Sequence, residues 1–314
     1  VASSDIAFVF PGQGSQSVGM GQDLCDQFAV AKEVFAEADE ALEFSLSQLC
    51  FSGPEDDLKL TENTQPAILT MSIAALRVLE AETDLRPVYV AGHSLGEYSA
   101  LVAVRALAFR DAVKVVRERG RLMQQAVPAG QGAMAVILGL ERNAVQTLCA
   151  DASQDEVVEP ANYNGGGQIV IAGAKNAVVR AMALAKERGA KRALDLPVSA
   201  PFHCALMRPA ADRLNQVLQN VPINPFTVGV VTNVEAEVNR DCNRVKQLLV
   251  EQAVRPVRWE ESVKKLAALG CQQALEIGPG KVLKGLIKRI VPTLITDNLE
   301  TPADLARLKA ARHG

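Results

Sequence analysis

Histidine is scarce in this 314-residue chain, with only His93, His203 and His313 present. That shortage leaves almost no room for a multi-histidine metal site, and no metal is expected. With His313 beside the C-terminal residue, an imidazole acting as general base is His93 or His203. The six cysteines (Cys25, Cys50, Cys149, Cys204, Cys242 and Cys271) form no C-x-x-C pair, which excludes a zinc knuckle or redox dithiol and fits a reducing compartment. Aromatics make up only 4% of the residues, and that poverty beside plentiful Ala, Val and Leu fits an α/β protein better than a β-sandwich. A net charge of −3 argues against a nucleic-acid partner. No apolar run approaches the roughly 18 residues of a membrane span. The start, Val1-Ala-Ser-Ser-Asp-Ile, has neither a basic n-region nor a small-residue cleavage site, so a cytoplasmic location is expected. A trimmed start or a removed organellar peptide stays open.

Along the chain, residues 6–10 read as a short buried strand ending at Pro11-Gly12-Gln13-Gly14-Ser15-Gln16, a loop rich in polar groups. Helical spacing covers residues 27–49 and 66–82, the second opening on Pro66 near its first turn. Strand 88–91 meets Gly92-His93-Ser94-Leu95-Gly96 and then a helix over 97–107. After a helix over 110–125 the pattern changes at Pro128-Ala-Gly-Gln-Gly132. Strands over 133–138, 168–172 and 193–196 then alternate with helices over 142–150 and 176–187. This predicts a small α+β subdomain at 128–197 inserted into a large α/β subdomain made of 1–127 and 198–314. A strand at 227–232 and a last core strand at 273–277 complete the large part.

Gly92-His93-Ser94-Leu95-Gly96 matches G-x-S-x-G with a strand before it and a helix after it, the context of a nucleophile elbow. Glycines two residues either side of a serine let backbone pack around a strained turn that exposes the hydroxyl. The Leu95 N–H would then form half of an oxyanion hole, helped by the positive end of the following helix. An ordinary Gly-Ser turn is the plain alternative. The serine needs a base. His93 is poorly placed, because neighbouring side chains on a sharp turn diverge, and His203 remains, held after Ala200-Pro201-Phe202. A satisfied structural histidine is the other reading of that residue.

Five motifs now stand in order: Pro11-Gly-Gln-Gly-Ser-Gln16, Gly92-His-Ser-Leu-Gly-Glu97, the Arg119-containing helix, Asn162-Tyr-Asn164 with Gln168-Ile-Val-Ile-Ala-Gly173, and Pro201-Phe-His203. Together they resemble the malonyl-CoA:acyl carrier protein transacylases, over essentially the whole chain. The resemblance implies an α/β-hydrolase-like large subdomain with a parallel sheet and a ferredoxin-like small one. It implies malonyl transfer from coenzyme A to the phosphopantetheine thiol of acyl carrier protein, through a malonyl-serine ester, in fatty-acid synthesis. Malonyl-CoA is then a substrate and no cofactor is expected.

By the same resemblance Ser94 is the nucleophile and His203 the base, the N–H of Gln13 joins that of Leu95 in the oxyanion hole, and the main-chain carbonyl of Gln252 orients the imidazole. Arg119 would pair with the free carboxylate of malonate. Helix spacing supports an inward Arg119, since Ala112, Val113, Val116, Gly120 and Met123 mark the buried face and Arg119 lies nearer it than Arg117 or Arg121. A structural salt bridge to an acid is the alternative partner. Phe202 resembles the bulky residue that narrows space beside the α-carbon and disfavours methylmalonyl; core packing is its plain reading. Asn162, Asn164 and Gln168 resemble positions along the pantetheine arm, with Gly165-Gly-Gly167 a turn. One departure is Val104-Arg105, where the family pattern has a small Ala-Gly pair.

Lys281, Lys284 and Lys288 recur at helical spacing opposite Val282, Leu283, Leu286, Ile287 and Ile290, and Lys186, Arg188, Lys191 and Arg192 cluster elsewhere. Either group would suit an acidic carrier protein or coenzyme A phosphates, and a solvated helix face is the competing reading. Gly12-Gln-Gly14 lacks the third glycine of a dinucleotide fingerprint, and Gly280-Lys281 lacks the rest of a P-loop. Three other functions share these residues: a serine esterase or thioesterase, a polyketide-pathway transacylase, and a catalytically degenerate carrier-binding scaffold.

Overall fold

The computed structural model describes residues 5–198 and 200–313, the last two by backbone alone. The sequence expectations touching residues 1–4, Ser199 and the His313 ring lie outside the described residues. Ten strands occur among them: β1 (Ile6–Phe10), β2 (Tyr89–Gly92), β3 (Gly132–Leu138), β4 (Val158–Gly165), β5 (Gln168–Ala174), β6 (Arg192–Asp195), β7 (Gly229–Val231), β8 (Val238–Asn239), β9 (Gln273–Ile277) and β10 (Ile295–Leu299). They form two sheets, a six-stranded one in the order β10-β9-β1-β2-β7-β8 and a four-stranded one in the order β4-β5-β3-β6.

In the larger sheet every pairing is parallel except β7 with β8. Strand β1 sits inside it, between β9 and β2, and all five of its residues are buried. That is why Ile-Ala-Phe-Val-Phe is apolar without alternation, as a strand covered on both faces requires. Helices provide the cover. The longest, Thr61–Glu82, is buried at every residue from 64 to 76. The smaller sheet is wholly antiparallel and comes from a strand-helix-strand-strand-helix-strand run with helices Arg142–Ser153 and Lys175–Glu187. The chain is thus a mixed α/β fold with a largely parallel sheet and a separate antiparallel one.

Several expected elements differ. The helix foreseen over 27–49 is broken into Gln22–Gln27, Ala29–Leu42 and Leu46–Ser52. Glu43 takes a left-handed φ of 58°, and Asp39 Oδ1 accepts from the Ser47 N–H at 2.8 Å, drawing the chain back. Pro66 opens no helix; it lies inside Thr61–Glu82, where its missing N–H leaves only the first-turn carbonyl of Glu62 without a helical donor. The helix after the serine runs Gly96–Ala103, not to 107. It stops because Arg105 has φ 61°, so the position of the expected glycine keeps a glycine-like conformation while bearing an arginine, at a cost of about 1–2 kcal/mol.

Strand β4 was not foreseen, since Pro160 and its two asparagines hide it. A proline is tolerated here because β4 ends the small sheet, pairing only with β5 within it. The strand at 273–277 is not the last, because β10 follows it at the sheet edge. Beyond its sheet, β4 bridges to Val257, with the Tyr163 N–H donating to the Val257 carbonyl and the Val257 N–H to the Ala161 carbonyl, both at 2.9 Å. That bridge ties β4, with Asn162 and Asn164, to the segment just ahead of the helix Trp259–Ala268. Among the described residues, no helix is long and apolar enough to cross a membrane.

Candidate active site

Parallel pairing sets Phe10 level with Gly92, so the loops leaving the C-terminal ends of β1 and β2 meet at the sheet edge where α/β proteins bind ligands. The second loop is the serine turn. Ser94 has φ 52°, a left-handed conformation costing about 1–2 kcal/mol in a residue with a Cβ. Close packing enforces it: a Cβ on Gly92 would lie 1.9 Å from the Gly96 carbonyl carbon, and one on Gly96 would lie 2.0 Å from the Phe10 oxygen. Only glycine fits either position.

Ser94 Oγ is 2.7 Å from His203 Nε2. On the far side of the ring, Nδ1 is 2.8 Å from the Gln252 main-chain oxygen. A carbonyl only accepts, so Nδ1 carries the proton and Nε2 presents its lone pair to the serine O–H. Burial and the nearby Arg119 charge push the His203 imidazole down to about 3, which keeps it neutral and able to accept at physiological pH. His93 faces elsewhere, with Nε2 2.9 Å from Asn164 Oδ1 and its ring tilted against the ring of Trp259.

Arg119 is 1% exposed. Its Nη1 donates to Gln65 Oε1 at 2.7 Å, and its Nη2 donates to Gln252 Oε1 at 2.9 Å and to Ser94 Oγ at 3.1 Å. The inward position expected from helix spacing is therefore observed, and its hydrogen-bond partners are neutral groups rather than a carboxylate. Its Nε has no partner among the described residues. Beneath the turn, Gln252 Nε2 donates to the Ser94 carbonyl at 3.0 Å and to Glu97 Oε2 at 2.7 Å. Burial pushes the Glu97 carboxyl up to about 7.

These groups open on two adjoining cavities. The inner, about 120 Å³, is lined by Ser94, His203, Arg119, Gln13, Asn162 and Phe202 together with apolar side chains such as Met123 and Met134. The outer, about 250 Å³, lies between the two sheets and shares Gln13, His93 and Asn162 with the inner; Asn164 and Gln168 also line it. Gln252 and Leu95 line neither. The Gln13 side chain turns away to Thr61 Oγ1 at 3.3 Å, and among the described residues the N–H groups of Gln13 and Leu95 donate to no protein acceptor. No group of three His, Cys, Asp or Glu side chains suited to a metal occurs there either.

Of the basic stripe, Lys284 is engaged, its Nζ 3.0 Å from Asp297 Oδ1 and 3.1 Å from Asn298 Oδ1. Val282, expected on the covered side of that helix, is 52% exposed and edges the outer cavity. Arg188 pairs with Asp151 at 2.6 Å. Two residues escaped the sequence reading. Gln65 lies just ahead of the helix read over 66–82 and within the observed helix Thr61–Glu82, so no pattern marked it. Asn233, just beyond β7, accepts from the Ser94 N–H at 2.7 Å and donates from Nδ2 to the Gly92 carbonyl at 2.6 Å; its signal was a polar residue past a parallel strand's C-terminal end.

The family described as acyl transferase domain matches residues 7–300. The Escherichia coli (strain K12) malonyl CoA-acyl carrier protein transacylase is 49% identical over 303 residues, 96% of this chain and 98% of that protein. An acyl carrier protein S-malonyltransferase of Vibrio cholerae superposes with a TM-score of 0.95 at 51% identity, over 97% of this chain and 100% of that one. A malonyl-transacylase solved in complex with a type II PKS acyl-carrier protein gives 0.96 at 46% identity, over 99% and 100%. With the family matched across most of its length and relatives near half identity, the chain belongs to the acyl transferase family, among its malonyl CoA-acyl carrier protein transacylases.

Proposed function

We propose that this chain moves malonyl from malonyl-CoA to the phosphopantetheine thiol of acyl carrier protein, supplying fatty-acid synthesis, with Ser94 as covalent carrier. One observation carries the reading: Ser94 Oγ touches His203 Nε2 at 2.7 Å and Arg119 Nη2 at 3.1 Å, so nucleophile, base and a buried cation all reach one small acyl group. The relatives named above, which bear this activity in their names, support it.

In the first half-reaction Ser94 Oγ attacks the thioester carbonyl while its proton passes to His203 Nε2. The N–H groups of Gln13 and Leu95 receive the oxyanion. The C–S bond breaks and the coenzyme A sulfur takes the proton from Nε2. In the second half the carrier thiol gives its proton to His203, attacks the malonyl ester and returns Ser94 as a hydroxyl. Arg119 holds the free carboxylate by charge-assisted bonds. That carboxylate also offsets the Arg119 charge just as the imidazole becomes imidazolium, which helps because the Gln252 carbonyl stabilises the cation less than an aspartate would. Phe202 narrows the inner cavity beside the α-carbon, and Asn162, Asn164 and Gln168 border the pantetheine arm in the outer one.

The fold reading is of a piece with this. Ser94 occupies a nucleophile elbow of an α/β-hydrolase-like subdomain formed by 1–127 and 198–314, supported by its positive φ and the crowding of Gly92 and Gly96. Residues 128–197 make a ferredoxin-like subdomain, supported by their strand-helix-strand-strand-helix-strand order. The site's chemistry uses no cofactor. A cytoplasmic location is in keeping with six free cysteines. Capture of the acyl-serine by a carrier thiol rather than by water is supported by the transacylase activity that the relatives bear in their names.

Intact-mass spectrometry after brief exposure to malonyl-CoA tests the reading. One malonyl adduct is expected on the wild type and none on Ser94→Ala; an adduct that survives the substitution removes Ser94 from its role. Adding holo acyl carrier protein should discharge the adduct onto the carrier thiol, and release mainly as free malonate would make the protein a thioesterase. A second reading, delivery to a polyketide carrier, draws on the relative solved with a type II PKS acyl-carrier protein; single-turnover rates with the two carrier types decide between them.

A further inference from the structure

Gln65 lies in the helix Thr61–Glu82, is 2% exposed and lines the inner cavity. Its Oε1 holds Arg119 Nη1, as Gln252 Oε1 holds Nη2. A buried guanidinium ordinarily rests against a carboxylate, because burying an uncompensated charge is costly. Here the three acceptors found, Gln65, Gln252 and Ser94, are neutral. The acid nearest in this network, Glu97, is kept at one remove by the Gln252 amide, which donates to it at 2.7 Å. Two amides therefore fix the direction of the guanidinium without cancelling its charge.

We propose that Gln65 is a specificity-determining residue, whose neutral amide aims Arg119 while leaving its charge available to a carboxylate on the acyl group. This deepens the malonyl-transfer reading and rests on it. The charge acts twice. It attracts an acidic acyl group, and it opposes protonation of His203, whose Nε2 shares the Ser94 hydroxyl with Arg119 Nη2. A malonyl carboxylate removes that opposition when it binds, and an acetyl group does not. A carboxylate built into position 65 would do so permanently, competing with malonyl and assisting a neutral acyl group.

The test is Gln65→Glu, with Gln65→Met as the uncharged comparison and malonyl-CoA and acetyl-CoA as donors to holo acyl carrier protein. For Gln65→Glu, malonyl kcat/KM is expected to fall by about 100-fold, the scale of a lost charge-assisted contact. Acetyl kcat is expected to hold or rise, so the malonyl-to-acetyl ratio collapses. Gln65→Met removes the acceptor that aims Arg119 without adding charge, so malonyl kcat/KM should fall by about tenfold, acetyl by less, and the ratio should drop much less than with Gln65→Glu. Gln252 offers no equivalent probe, because its amide donates to Glu97 at 2.7 Å and a carboxylate there would share a proton with Glu97. Equal losses for the two acyl groups in Gln65→Glu, or an unchanged ratio, would overturn the inference and leave only a structural role. The malonyl adduct on wild-type Ser94, measured alongside, tells this failure from failure of the parent reading: with the adduct present and the ratio unmoved, only the role of Gln65 is lost.

Discussion

Replacing Asn233 by alanine removes a clamp that grips both flanks of the serine turn. In the native protein its Oδ1 accepts from the Ser94 N–H at 2.7 Å and its Nδ2 donates to the Gly92 carbonyl at 2.6 Å, with Asn233 itself 1% exposed. Alanine leaves the part-buried Ser94 N–H and the buried Gly92 carbonyl without this partner, each worth about 1–3 kcal/mol, so a loss of about 2–6 kcal/mol is expected. For a chain of this size that is a fall in Tm of roughly 4–12 °C. The clamp also opposes relaxation of Ser94 from its φ of 52°. A hydroxyl shifted by about 1 Å from His203 loses on the order of 100-fold in reaction rate. Asn233 lines neither cavity, so KM for malonyl-CoA should change little. Rapid-quench acylation and thermal melting read the two effects separately. A variant that melts like the wild type and acylates at its rate would refute the assignment. A lower Tm with unchanged acylation would limit Asn233 to stability.

Two other predictions follow from the charges around the serine. Arg119→Ala is expected to reduce malonyl transfer by about 100-fold or more while sparing or raising acetyl transfer, measured as kcat/KM with each donor; equal loss for both would remove its selective role. His203 is held at about 3, against 6.5 for a free imidazole, so on acidification the unfolded chain binds the proton first. Its contribution to stability is complete above pH 6.5 and drains away as the pH falls toward 3. Glu97, raised to about 7 from 4.5, runs the other way, favouring the fold less as the pH rises through that window. Urea unfolding at about pH 7 and about pH 5 should therefore show a smaller acid loss for His203→Gln than for the wild type; identical slopes would count against the neutral buried imidazole.

The polar contacts converge because the sheet does. Ser94 follows β2, the Gln13 loop follows β1 and Asn233 follows β7, and these three strands run parallel as neighbours. Gln252 approaches from the helix Cys242–Val254 and Arg119 from the helix Phe109–Gln125. Each main-chain segment is fixed by its own hydrogen bonding, so the side chains meet without any one helix or loop supplying more than a few of them.

Local chemistry was legible in the chain itself. A serine between glycines, preceded by apolar residues and followed by a helix, states its turn because the steric demand is local: Gly92 and Gly96 must lack a Cβ whatever surrounds them. Scarcity of histidine narrowed the candidates for a base, and helix periodicity turned Arg119 inward, since both depend only on counting and on a 3.6-residue repeat. What depended on residues far apart in the chain was not legible. Strand β4 looked unlike a strand because its pairing is supplied by β5 and by Val257. Gln65 and Asn233 carry no motif, and their importance comes from contacts 54 and 139 residues distant. Whether Arg119 met an acid or an amide was likewise decided only by packing, because a helix repeat gives the direction of a side chain but not the group waiting there.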